Sequence, residues 1–176
     1  MEPRLAGVLL LAYPRDGAPH IVFTKRTESL AAHRGQISLP GGRFEATDAD
    51  LQATALREAY EELGVPPGDV HILGRLDDVY VVVSNFMIAP YVGTLGYAPI
   101  FRPDPREVAM VIDVPLERLR DPAIFHEEDR PLSGRSRTVQ VYQYAEHEIW
   151  GATGRIVQLF LKSPIVDAIV KEIDIR

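Results

Sequence analysis

The stretch Gly35–Val65, GQISLPGGRFEATDADLQATALREAYEELGV, constrains the chain most tightly, because a short strand, a double-glycine turn and an acid-bearing helix must follow one another without a gap. Helical spacing places Glu58, Glu61 and Glu62 at i, i+3 and i+4, on one face. Carboxylates held that closely repel, and a divalent cation with affinity for oxygen is the simplest partner that holds them together. For three acids alone the alternative is a solvated acidic face on an ordinary amphipathic helix. The preceding Gly41-Gly42 turn favours the ion-holding reading, since glycine lets a main chain turn sharply and approach an ion or phosphate closely. Arg57, four residues before Glu61, is placed to brace that carboxylate.

The helix is predicted from about Asp50 to Leu63, with Asp48 or Asp50 as its cap, Gly64 as its stop and Pro66-Pro67 barring continuation. Leu56, Ala59, Tyr60 and Leu63 fall on the arc away from the acids. That predicts a helix that buries one side and presents its carboxylates on the other.

Residue by residue, this stretch resembles the Nudix box. Gly42 matches the opening glycine, Arg57-Glu58 the central pair, Ala59 the aliphatic position, Glu61-Glu62 the paired acids and Gly64-Val65 the close. Asp48 stands where a glutamate is usual, and one extra residue lies between it and Arg57, a spacing that resembles the coenzyme A diphosphatases of the family. The run IVFTKRTESLAAHRGQISLPGG is similar to the extended signature of that branch at Thr24, Arg26, Leu30, His33, Gly35, Gln36, Ser38, Pro40, Gly41 and Gly42. Ala31-Ala32 occupies the region of a usual arginine, and Arg34 is the candidate replacement. HEIWGATGRIVQLFL resembles the branch's C-terminal Ile-Trp-Gly-x-Thr element.

The resemblance implies an α/β fold, a Nudix-like α/β/α sandwich with a central mixed sheet. It further implies metal-dependent hydrolysis of the diphosphate bond of coenzyme A and its thioesters, giving 3′,5′-ADP and 4′-phosphopantetheine, by a protein that forms a homodimer. Glu58, Glu61 and Glu62 are then the metal ligands, with the Gly42 carbonyl as a main-chain ligand and Arg57 beside them in the catalytic group. One glutamate instead removing the proton of the attacking water is not separable from metal holding in the sequence. Oxygen donors throughout favour Mg²⁺, with Mn²⁺ as replacement. Lys25, Arg26, His33, Arg34, Gln36 and Gly41 are the candidate substrate contacts. The runner-up is an ADP-ribose or other nucleoside diphosphate or triphosphate hydrolase, and a third reading is a non-catalytic nucleotide-binding domain.

Composition narrows the rest. A chain of 176 residues suits one domain, 1–176, since division would leave two small cores. The absence of cysteine excludes disulfides, thiolate metal sites and cysteine nucleophiles, and the dispersed histidines argue against zinc. A formal charge of −6 argues against broad nucleic-acid binding. The apolar run GVLLLAY is too short to span a bilayer and lacks a basic leader, so no membrane association is expected and the cytoplasm is the default location.

Along the chain, Leu5–Tyr13 and Ile21–Arg26 read as a hairpin around Pro14–Gly17. Val70–Leu76, Val79–Val83, Asn85–Val92 and Glu107–Val114 read as strands, and Gly93–Pro105 as a loop whose Tyr97 and Phe101 pack at the core edge. Pro115 starts a short helix. The polar run DPAIFHEEDRPLSGRSRTVQ reads as a long loop with a solvated cluster at Glu127, Glu128 and Asp129, the rival being that one of these supplies a base or metal ligand. Val139–Ala145 is a last strand, followed by helices over Thr153–Leu161 and Ile165–Ile173. Trp150 is expected to join strand to helix structurally, with Thr153 as cap.

Overall fold

Val8 to Ala12 is apolar at every position, and a strand of that kind must be covered on both faces. In the computed structural model, which describes residues 2–27, 35–132 and 134–174, it lies at the centre of the sheet. Strand β1 (Arg4–Arg15) turns through Asp16-Gly17 into β2 (Ala18–Arg26), and β3 (Ile37–Ser38) and β4 (Gly41–Arg43) follow. After helix α1 (Leu51–Leu63) come β5 (His71–Arg75), β6 (Val79–Val81), β7 (Phe86–Thr94) and β8 (Val108–Pro115). These eight strands form one sheet among the described residues, with β1 and β7 parallel and the other pairings antiparallel.

The two faces of β1 feed two cores. Leu9, Leu11 and Tyr13 pack with Ala55, Ala59 and Leu63 of α1. Leu10 and Ala12 pack with Ile156, Val157 and Phe160 of α3 (Gly151–Lys162) and with Val166 and Ile169 of α4 (Ile165–Asp174). Helices thus cover both faces of a mixed sheet, the α/β/α sandwich that the resemblance implied.

Helix α1 starts one residue after Asp50, whose carboxylate accepts the Ala53 N–H at 2.7 Å, and stops at Gly64 with φ 72°. Its buried face differs from the predicted one. Tyr60 is 56% exposed, whereas Glu62 is 4% exposed and shares the inner face with Ala55, Ala59 and Leu63. The apolar arc and the acidic arc overlap, because Glu62 lies one turn beyond both Glu58 and Ala59. Helical spacing alone does not show that the sheet beneath offers room for a carboxylate.

That room comes from glycine. Gly7 of β1 and Gly42 of β4 are paired directly across the strands. A Cβ on Gly7 would lie 2.2 Å from the Leu51 carbonyl oxygen, and one on Gly42 would lie 2.3 Å from a Glu58 carboxylate oxygen. The helix therefore rests on a cross-strand residue pair without side chains.

The polar run predicted as a loop is instead a 3-10 turn (Pro122–Ile124) and a hairpin, β9 (Phe125–Leu132) and β10 (Arg135–Tyr144), extended by β11 (His147–Ile149) into a second antiparallel sheet. Polar side chains pair across it, Thr138 with Asp129 at 2.7 Å and Gln140 with Glu127 at 3.1 Å. Much of the hairpin is exposed, so the apolar alternation that marks a half-buried strand is missing. The short helix α2 (Leu116–Arg120) follows Pro115 as expected. Thr153 lies inside α3 and does not cap it; Trp150 occupies the cap position without a side-chain bond.

Gly7→Ala should cost about 3 kcal/mol of folding stability, since backbone and not a flexible side chain meets the new methyl. Urea unfolding measures it, and a change within about 0.5 kcal/mol would mean that the helix does not need the glycine floor.

Candidate active site

Asp48, just ahead of α1, is the anchor of the acidic helix. Its side chain is 4% exposed and accepts a fork of two bonds from Arg57, Nε at 2.8 Å and Nη2 at 3.0 Å. The Thr54 hydroxyl at 2.8 Å and the Glu45 N–H at 3.0 Å also donate to it. The Arg57 guanidinium, first among these donors, holds the Asp48 carboxyl well below the usual carboxylate range. Arg57 donates as well to the Arg43 carbonyl at 3.1 Å, to Glu58 at 3.0 Å and to Glu61 at 3.1 Å. It thus ties the strand before the helix to two acids upon it.

Glu58 lies against Gly42, and burial raises its carboxyl above the ordinary range against the opposing pull of Arg57. Glu62 is pushed up to about 8, first by burial and then by the charge of Glu58, while the Gly41 N–H and the charge of Arg26 draw it back. Glu107 adds its negative field to both acids. Sequence reasoning missed it, because a single acid opening a predicted strand has no spacing signal. The fold brings it in through the Thr27 N–H, which donates to the Glu107 carbonyl at 3.0 Å beside Arg26.

The three glutamates do not meet in one cage. Among the described residues no three histidine, aspartate or glutamate side chains converge to hold a metal ion. Glu61 is half exposed and reaches back to Arg57, leaving Glu58 and Glu62 as the inward pair. As a donor set the pair suits a hard divalent cation, being all oxygen and carrying a repulsion that a cation relieves.

Beside the glycine strand, on the α3 side of the sheet, is a cavity of about 350 Å³. Of the predicted substrate contacts, Arg26, Gln36 and Gly41 line it and Lys25 does not; Gly42, expected as a main-chain metal ligand, lines it too. Successive residues of a strand point to opposite faces, which separates the two side chains. The Arg26 Nε is buried without a hydrogen-bond partner among the described residues. An unpaired buried donor of a guanidinium is costly, and an anion in the cavity would satisfy it. His33 and Arg34 lie outside the described residues. Glu127 accepts from Gln140 and is exposed on the hairpin. Phe101 packs edge-on against Tyr13, as its core-edge reading expects, whereas Tyr97 is exposed and donates to Asp69.

The raised Glu62 carboxyl gives metal-free protein a definite pH dependence. The folded state binds more protons than the unfolded state between the ordinary value of 4.5 and about 8, so stability falls as pH rises through that window. Asp48, held low, loses its contribution only as pH drops below its ordinary 3.8. In chelator, Tm should fall from pH 5 to pH 8, and Glu62→Gln should flatten that slope. An identical slope in the variant would contradict the burial of Glu62.

A family model described as the NUDIX domain matches residues 3–134 of this chain. A Nudix hydrolase named NudL from Enterobacter sp. strain 638, described as uncharacterized, is 34% identical over 158 residues, spanning 90% of this chain and 81% of its own length. The NudL of Photorhabdus laumondii is 34% identical over 139 residues, covering 79% and 74%. Among solved structures, a MutT/nudix family protein from Enterococcus faecalis superposes with a TM-score of 0.59 at 16% identity, over 95% of this chain and 63% of that one. The NUDIX domain of Shewanella oneidensis NrtR, solved with ADP ribose, does so with a TM-score of 0.55 at 20% identity, over 68% and 77%. These structural likenesses concern the fold, and the matched model together with the curated relatives carries the family: the chain belongs to the Nudix hydrolases.

Proposed function

We propose that this Nudix hydrolase cleaves the diphosphate bond of coenzyme A and its thioesters, giving 3′,5′-ADP and 4′-phosphopantetheine. Family membership supports hydrolysis of a nucleoside-diphosphate-linked substrate in general. The particular substrate rests on the segment before the box, where Arg26, Gln36 and Gly41 match the extended signature of the coenzyme A diphosphatases. The single observation that carries the diphosphate reading is the buried Nε of Arg26, without a hydrogen-bond partner among the described residues, in a cavity bordered by Gly41-Gly42 and close enough to Glu62 to act on its charge.

Glu58 and Glu62, with Glu61 swung in from Arg57, are the residues that would hold Mg²⁺ or Mn²⁺, together with the Gly42 carbonyl. When bound, such an ion neutralises phosphoryl oxygens and lowers the pKa of coordinated water. Arg57 acts as a positioning residue, since its contacts run to Asp48, Glu58 and Glu61. Arg26 binds a diphosphate oxygen, and Gly41 and Gly42 let the chain approach it without a side chain between. His33, Arg34, Gln36 and Lys25 complete the proposed substrate contacts, and the protein works as a homodimer.

Glu61→Gln and Glu62→Gln should each lower turnover by about 10²-fold or more while circular dichroism stays that of the folded protein. Near-normal rates in both folded variants would remove the acid pair from the reaction. Coenzyme A should be cleaved with a higher kcat/KM than ADP-ribose or nucleoside triphosphates, with the products identified by mass. Coenzyme A left intact while ADP-ribose turns over would transfer the activity to the broader nucleoside-diphosphate class.

A further inference from the structure

A second cavity, of about 280 Å³, opens where α2, the 3-10 turn, β10 and the end of α3 meet, and it shares no lining residue with the cavity beside the glycine strand. Its body is apolar. Leu119, Pro122, Phe125 and Leu161 surround the ring of Tyr142, whose centre lies 5.1 Å from that of Phe125. This volume stands at the lower end of ligand pockets and suits a molecule with one ring.

Tyr142 is the residue that packing does not explain. It is 4% exposed and burial pushes its hydroxyl up to about 12, yet that hydroxyl makes no hydrogen bond among the described residues. Nor is it sealed off as the Arg26 Nε is, so its partner must come from the cavity. A phenylalanine would fill the same core position without desolvating a polar atom. The other polar side chains sort by sign. The Asp121 carboxylate is already taken, accepting the Ala123 N–H at 2.9 Å and Arg118 at 3.0 Å. The Gln158 amide oxygen accepts from Arg155, which leaves its N–H groups as the unused half. Arg120 and Lys162 line the cavity and form no ion pair or side-chain hydrogen bond among the described residues. Their places at the ends of α2 and α3 suit helix C-termini, but such places require no apolar pocket and no buried phenol between them. Acceptors are thus occupied while donors and cations are free, which is the complement of an anion with an apolar body.

We infer that this cavity is a second ligand site, separate from the diphosphate chemistry, and that it takes a small aromatic carboxylate. The ring packs on Phe125 and Leu161, the carboxylate accepts from the Tyr142 hydroxyl, and Arg120 and Lys162 supply the opposing charge. A phosphate ester would bring a second charge and a third oxygen against a wall that is mostly carbon.

Calorimetric titration of benzoate into the full chain tests this, in chelator so that no divalent ion recruits the carboxylate, with benzamide and phenyl phosphate as comparisons. Saturable benzoate binding with a Kd of about 1 mM or tighter is expected, and binding about tenfold weaker or more for each comparison compound. Tyr142→Phe, which removes only the hydroxyl, should weaken benzoate about tenfold, as the loss of one hydrogen bond to a charged acceptor does. Arg26→Gln, in the other cavity, should leave benzoate affinity unchanged. No saturable benzoate heat, benzamide or phenyl phosphate bound as tightly, affinity retained in Tyr142→Phe, or affinity lost in Arg26→Gln would each overturn the assignment. Should Tyr142→Phe fail to fold, the double variant Arg120→Gln with Lys162→Gln, both exposed residues, decides: its benzoate affinity should fall about tenfold or more, and an unchanged affinity would overturn the site.

Discussion

The site depends on how closely α1 approaches the sheet. Gly7 and Gly42 stand opposite each other with no Cβ between sheet and helix, and the freed space is filled by the Leu51 carbonyl and the Glu58 carboxylate. A helix set farther out by one methyl layer would expose Glu62 to water and lose its contact with the Gly41 N–H. Packing and electrostatics are therefore one property here. The backbone proximity that stabilises the sandwich is also what desolvates the acids and raises their affinity for protons, or for a cation in place of protons.

Two kinds of carboxylate are separated within a few residues. Asp48 receives a guanidinium fork, a hydroxyl and a backbone N–H, and it stays ionised as a structural anchor. Glu58 and Glu62 face burial, each other and Glu107, with only partial relief from Arg57, Gly41 and Arg26. The Arg57 guanidinium is divided among Asp48, the Arg43 carbonyl, Glu58 and Glu61. What remains is an oxygen-rich acid pair beside an Arg26 Nε that has no hydrogen-bond partner among the described residues, a combination suited to a hard cation on one side and an anionic substrate on the other.

Much of this was legible in the sequence. The helix bounds, the Gly64 stop, the β1–β2 hairpin and the mixed sandwich follow from spacing, turn residues and the resemblance of the box. The face of the helix did not, because wheel position says which residues are neighbours and not what the opposing strand leaves open; Gly7 lies 35 positions before Gly42 and carries no motif. Glu107 was invisible for a similar reason, being brought in by backbone pairing with Thr27. The β9–β10 hairpin was missed because its register rests on polar pairs such as Asp129 with Thr138, which read as loop composition.

The central claim is that burial of Glu62 against the glycine strand poises the acidic pair to exchange a proton for a divalent ion. Calorimetric titration of Mg²⁺ into metal-free protein at pH 7, repeated in buffers of different ionisation enthalpy, tests it most directly. With Glu62 pushed up to about 8, the carboxyl is mostly protonated at that pH, and binding should release about one proton per protein. Glu62→Gln should abolish the release. Binding of Mg²⁺ without proton release, or with the same release in the variant, would contradict the account.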